Sequence, residues 1–166
     1  LYRRIEVLNF ELPELNIQLE ENHLYIDLKG ELHKQIVFNL LKERFKVEVS
    51  FSDSVIRYKE SIKESSIGVG HFEPLRHYAE LIVEIKPSES LCFRSLVNNS
   101  YTGSLINYLN THKLRGILTN SELCRMEITI IDFRTHLKHT EGGDLIQALR
   151  RAIRHALTRN KCYVLE

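Results

Sequence analysis

Apolar positions along this 166-residue chain change period several times, and each change marks an element. Leu1 to Val7 reads as the tail of a helix. Leu15-Asn16-Ile17-Gln18-Leu19 alternates apolar and polar residues, the period of a half-buried strand. Leu24, Ile26 and Leu28 alternate again after a turn-like Glu21-Asn22, which predicts a hairpin. Gly30 breaks that strand, and from Glu31 the spacing becomes helical. Leu32, Ile36, Val37, Leu40, Leu41 and Phe45 place one apolar stripe on a helix. Val47, Val49 and Phe51 alternate as a further strand before the polar turn Ser52-Asp53-Ser54. Strand, strand, helix, strand is part of an α+β sandwich with helices on one sheet face.

Val55 to Ile62 reads as extended, and the polar, Ser- and Gly-containing stretch Lys63 to Gly70 reads as a linker, so a domain boundary is expected at 62/63. Ala79 to Ile85 alternates as a strand that Pro87 ends, since proline cannot donate to a ladder. Leu91–Leu96 predicts a short strand and 103–114 a weak helix. Cys124–Phe133 predicts a strong strand, followed by a loop over 134–143. The last helix is the clearest: Leu145, Ala148, Leu149, Ala152, Ile153, Ala156 and Leu157 form a regular stripe whose small alanines imply close packing on a sheet. Asp144 or Thr140 would cap it.

Charge changes the picture only near the C-terminal end. The net charge is +1, but Arg134, Lys138, Arg150, Arg151, Arg154, Arg159 and Lys161 face only Glu141 and Asp144 over 134–161, where His136, His139 and His155 also lie. Such clustering suits an anion- or nucleic-acid-binding surface, and suits a solvated helix face equally well. Cys92, Cys124 and Cys162 are odd in number and unpaired in spacing, which fits a reducing cytoplasm and no disulfide framework. No apolar run reaches the ~20 residues of a membrane span. The single methionine, Met126, is internal and the chain opens at Leu1, so it reads as a piece of something larger.

Three ordered segments carry a resemblance. Gly30-Glu31-Leu32-His33 is followed by Leu41-Lys42-Glu43-Arg44-Phe45-Lys46-Val47-Glu48 and then Tyr58-Lys59-Glu60-Ser61-Ile62. This set resembles the third domain of elongation factor G, with its G-E-L-H turn, L-x-x-x-F-x-V-E helix exit and Y-R-E-T-I linker. The second half is similar to the fourth domain of the same translational GTPases. There Phe72-Glu73-Pro74-Leu75-Arg76-His77-Tyr78-Ala79 stands where elongation factor G has a glycine-rich G-G-x-G-Q-Y-G loop. That departure points toward the branch of tetracycline-resistance ribosomal protection proteins, with an elongation-factor-G-like translocase variant or a stand-alone RNA-binding module as the alternatives. The resemblance implies a partial ferredoxin-like sandwich over 1–62, then over 63–166 a βαβ domain like the second domain of a small-subunit ribosomal protein.

It also implies partners and site residues. Arg134 to Asp144 occupies the place of the family's tip loop, which enters the decoding region of the small ribosomal subunit. His136, Leu137, Lys138, His139 and Thr140 are thus the expected contacts to ribosomal RNA, lysine meeting phosphate and imidazole stacking or hydrogen bonding. Arg150, Arg151 and Arg154 are the expected basic helix face. The chain contains no Gly-x-x-x-x-Gly-Lys-Ser/Thr loop, so it is expected to hydrolyse nothing by itself, with GTP and Mg²⁺ bound by a domain outside it. No catalytic pair, no metal, no DNA and no membrane partner are expected, and a monomer is. His136 and His139 lack a cysteine or acidic partner at metal-ligand spacing.

Overall fold

The computed structural model describes residues 2–20, 23–46 and 48–166, and in it the chain divides into two compact units, 1–54 and 55–166. The fold is α+β. No helix is long and apolar enough to cross a membrane.

The first unit holds helix α1 (Tyr2–Glu11), a 3₁₀ turn (Pro13–Leu15), strands β1 (Gln18–Glu20) and β2 (His23–Tyr25), and helix α2 (Glu31–Glu43). β1 and β2 form the expected hairpin, antiparallel, with Gln18 opposite Tyr25; the expected turn residues Glu21 and Asn22 lie outside the described residues. Leu15 departs from the expectation: it closes a 3₁₀ turn and is fully buried, because Pro13 fixes φ and starts a helical turn there. Gly30 precedes α2 at φ 90 and ψ −179, a conformation essentially reserved for glycine. Its neighbour in the motif, His33, accepts the Lys29 amide through Nδ1 at 3.0 Å. The core is Leu8, Leu15, Val37 and Leu41, with Leu40, Phe45, Val49 and Phe51 packed against it.

Two expectations for this unit need correction. The six-residue stripe on α2 does not bury as one face: Val37 and Leu41 are inside, while Leu32 is 72% and Ile36 56% exposed. Val49 and Phe51 do face the core, yet they lie in no strand, and Val47 lies outside the described residues. Among the described residues this unit has one two-stranded sheet, too narrow to cover a wide helical stripe.

The second unit holds β3 (Lys59–Ile62), β4 (Ser66–Phe72), β5 (Ala79–Pro87), β6 (Cys92–Ser95), α3 (Thr102–Thr111), β7 (Glu122–Leu123), β8 (Met126–Thr135), α4 (Gly142–Thr158) and β9 (Cys162–Leu165). Its main sheet runs β4-β5-β8-β6, with β6 parallel to β8 through the α3 crossover, so the expected βαβ unit is present. A smaller sheet, β7-β3-β9, joins the first strand of the unit to its last.

β3 corrects the expected boundary at 62/63. Glu60, Ser61 and Ile62 are all at most 2% exposed, because β3 lies between two strands and belongs to the second unit; the chain divides at 54/55 instead. The glycines read as linker signals also sit inside β4. A Cβ on Gly68 would stand 2.0 Å from the Ala152 carbonyl oxygen, and one on Gly70 1.8 Å from that of Ala148. Gly68 and Gly70 let α4 approach β4 through its alanine row, Ala148, Ala152 and Ala156, and every apolar position of the α4 stripe is buried.

Glu60 fixes one loop of this unit. Its carboxylate accepts the amides of Leu118 (2.9 Å), Thr119 (2.8 Å) and Ser121 (3.2 Å) and the Thr119 hydroxyl (3.0 Å). Burial by itself would raise its pKa, but these donors outweigh it and hold the carboxyl below its ordinary value.

Candidate nucleic-acid interface

Within the loop between β8 and α4, the backbone, the Thr140 hydroxyl and the His136 ring supply the hydrogen bonds. The amides of His139 and Thr140 both donate to the His136 carbonyl at 3.0 Å, closing a tight turn. The His136 amide donates to Thr140 Oγ1 at 2.7 Å, and the Lys138 amide to His136 Nδ1 at 3.3 Å. The imidazoles of His136 and His139 stack, centroids 4.6 Å apart and planes 24° from parallel. His136, Leu137, Lys138 and His139 are exposed, Leu137 completely so. The turn therefore presents a stacked pair of rings, an apolar side chain and an ammonium group to solvent.

Thr140 has a different place from its four neighbours. Its hydroxyl donates to the Tyr78 carbonyl at 2.5 Å while accepting the His136 amide, so it is engaged in holding the loop. Asp144 is not the N-cap but the third residue of α4; Glu141 occupies the cap, and the Asp144 carboxylate accepts the Glu141 amide at 2.9 Å. Thr140 precedes the cap, so neither residue proposed for it takes that position.

The basic helix face also divides. Arg151 Nη1 donates to the His71 carbonyl at 2.7 Å, and its guanidinium lies 5.0 Å from the Phe72 ring centroid. One turn on, His155 Nδ1 accepts the Val69 amide at 3.0 Å. β4 is an edge strand, and these two side chains cover backbone groups that would otherwise be open to a stray strand. Arg150 and Arg154 are exposed and make no ion pair with a described residue. They lie roughly 12–18 Å along α4 from its first turn, at 1.5 Å per residue. The structure thus brings His136, Leu137, Lys138 and His139 into one cluster and leaves Arg150 and Arg154 as a separate basic strip.

Sequence reasoning missed a second loop beside the first. The β4–β5 hairpin turns over 73–78, its last rung pairing Phe72 with Ala79. The Tyr78 amide donates to the His139 carbonyl at 2.8 Å, and His77 Nδ1 lies 3.0 Å from Asp144 Oδ2. The hydrogen bond to Asp144 raises the His77 pKa against the opposing effect of burial, with help from the charges of Asp144 and Glu141. Asp144 is itself held below its ordinary value: burial would raise it, and its bonds to the Glu141 amide and to His77 prevail. The departure from the family's glycine-rich pattern at 72–79 marked this loop in the sequence, but only as a loss. Leu75 at its apex is 95% exposed. Among the described residues no group of three His, Cys, Asp or Glu side chains stands together as a metal would require.

The paired-loop tip thus presents stacked rings, an apolar apex and a lysine to solvent on an α+β unit. In sequence the chain is similar to elongation factor G of Carsonella ruddii, strain PV, at 22% identity over 171 residues, covering 94% of this chain and 25% of that protein. It spans about a quarter of that relative's length. In fold it is similar to a crystal structure of a Thermus thermophilus protein, with a TM-score of 0.65 and 19% identity over 99% of this chain and 27% of that one. No family model matches the chain.

Proposed function

We propose that this chain is the ribosome-contacting part of a GTP-dependent translation factor of the elongation factor G type, and that it acts by occupying space on small-subunit RNA near the decoding site. The observation that carries this is the exposed cluster His136, Leu137, Lys138 and His139 on a turn closed by its own amides. A stiff turn delivers its contacts without first losing the conformational freedom of a loose loop. Lys138 would meet a phosphate, and the imidazole pair an unstacked base. GTP and Mg²⁺ would be handled by a domain outside this chain, and the protein would work in the cytoplasm as a monomer.

Within that reading, release of tetracycline from the small subunit is the favoured activity. It rests on the replacement of the glycine-rich loop by Phe72–Ala79, a segment tied to the tip through Tyr78 and His77. Translocation is the second reading, favoured by the relative's name, elongation factor G. A tetracycline growth assay on cells expressing the longer protein that carries this chain separates them. Resistance that His136→Ala/Lys138→Ala abolishes in a folded protein supports drug release. No resistance, together with GTP-dependent tRNA movement on isolated ribosomes, makes the protein a translocase. Ribosome binding that does not weaken with added salt sinks the phosphate contact common to both.

A further inference from the structure

We propose that His77 is a positioning residue: it locks the β4–β5 hairpin loop to the start of α4 and thereby fixes the shape of the tip without touching RNA itself. The inference deepens the tip reading above and rests on it for its consequence at the ribosome.

Apart from His77, the loop 73–78 is held by the Tyr78 backbone and by the edge contact of the Tyr78 ring with His71, centroids 5.6 Å apart. Glu73, Pro74, Leu75 and Arg76 are exposed, so no apolar burial anchors the turn. Arg76 takes φ 65, a left-handed conformation that a non-glycine residue keeps only where its surroundings fix it. The next residue is His77. Its amide closes the turn on the Pro74 carbonyl at 2.9 Å, and its ring meets Asp144 at 3.0 Å. Tyr78 then makes both backbone bonds to the tip, its amide to His139 and its carbonyl to the Thr140 hydroxyl. Two consecutive residues therefore bond to three points along 139–144, and the side-chain bond among them comes from His77.

The acceptor is well chosen for this. Asp144 is 6% exposed and cannot swing away, because the same oxygen accepts the Glu141 amide. The charged groups facing His77 from α4 are Asp144 and Glu141. On its own hairpin, Glu73 is paired with His71 at 2.8 Å and Arg76 is exposed. Losing the His77 ring would leave the cap of α4 intact, since the bond from Glu141 to Asp144 does not need it. The loop would keep only the Tyr78 backbone bonds to the tip and the His71–Tyr78 ring contact, and would open more often.

Amide hydrogen exchange on the 166-residue chain tests the lock. His77→Ala should speed exchange at Tyr78, His139 and Thr140 by about tenfold, the scale of one hydrogen bond lost from a local opening. Amides of Val83 and Ile85 in the core strand β5 should not change. His77→Gln, whose side-chain amide can still donate to Asp144, should restore protection, which a merely space-filling role would not require. Unchanged exchange at the three tip amides in His77→Ala, or no rescue by glutamine, overturns the proposal. Should His77→Ala fail to fold, the wild-type chain supplies the readout. The Tyr78 and Thr140 amide resonances should titrate with the His77 imidazole at one midpoint, and separate midpoints overturn the lock. Ribosome binding distinguishes this from the parent reading. A loosened tip with undiminished binding removes the tip as the contact and leaves the lock standing.

Discussion

Helices α2 and α4 both carry apolar stripes in sequence, that of α4 the more regular, and the protein buries them to different depths. All seven stripe positions of α4 are buried. On α2 only Val37 and Leu41 are, while Leu32 and Ile36 face outward. The difference lies in what each helix meets. α4 lies on β4 and β5 of a four-stranded sheet, and its alanines match two glycines on β4. Val37 and Leu41 of α2 share their core with Leu8, Leu15 and partly buried side chains such as Ile17, Ile26, Val49 and Phe51, none of which lies in a strand. A helical period says which side chains share a face; the width and smoothness of the partner surface decide how many are removed from water.

The strongest way to break that comparison is to spoil the match under α4. Gly70→Val puts a side chain onto the Ala148 carbonyl oxygen, where backbone and not a flexible side chain must yield. The expected cost is more than about 4 kcal/mol, the exceptional range for overpacking, and thermal unfolding monitored on the second unit reads it. Gly103→Ala, where a Cβ meets nothing within 4 Å, is the control and should leave the transition in place. On α2, Leu41→Ala should cost about 2–5 kcal/mol as a large-to-small core change, measured by denaturant unfolding of the first unit. Near-neutral behaviour there would mean that α2 has no true buried face.

Smaller effects sharpen the contrast. Glu60→Gln leaves the Leu118, Thr119 and Ser121 amides with a weaker acceptor and should cost about 1–3 kcal/mol, visible as faster exchange over 118–121. The His77 contact predicts a pH effect of definite sign. Its pKa is raised on folding, so its stabilisation is complete below the unfolded value of 6.5 and fades as pH rises through the higher folded value. The stability difference between wild type and His77→Leu should therefore shrink as pH increases, and a difference that grows would contradict the ion pair. The smallest effect is expected at Leu32→Ser, within about 0.5 kcal/mol, because that side chain is already in water.

The candidate tip was legible as a cluster but not as a structure. His136, Leu137, Lys138 and His139 are consecutive, so any turn there exposes them together. Thr140 looked equivalent in the string and proved to be bonded inward to Tyr78, a residue sixty-two positions away. Arg151 looked like Arg150 and Arg154 and proved to cover the edge of β4. Spacing along one helix cannot report which strand lies beside it. His77 carried no local signal at all, since its partner Asp144 is distant in sequence and near only because β4 and β5 place their hairpin at the head of α4.

Local sequence by itself determined the α+β class, the positions of β5, β8, α2 and α4, the turn at Gly30 and the exposed tip residues. These follow from period, from backbone permissiveness and from the polarity of adjacent side chains, all of which act within a few residues. The boundary at 54/55, the burial of Glu60, the depth to which each helix is covered and the lock of one loop on another were decided only in the tertiary structure. Each depends on surfaces contributed by segments far apart in the chain, and a glycine that reads as a linker becomes a seat for a helix once its neighbour is in place.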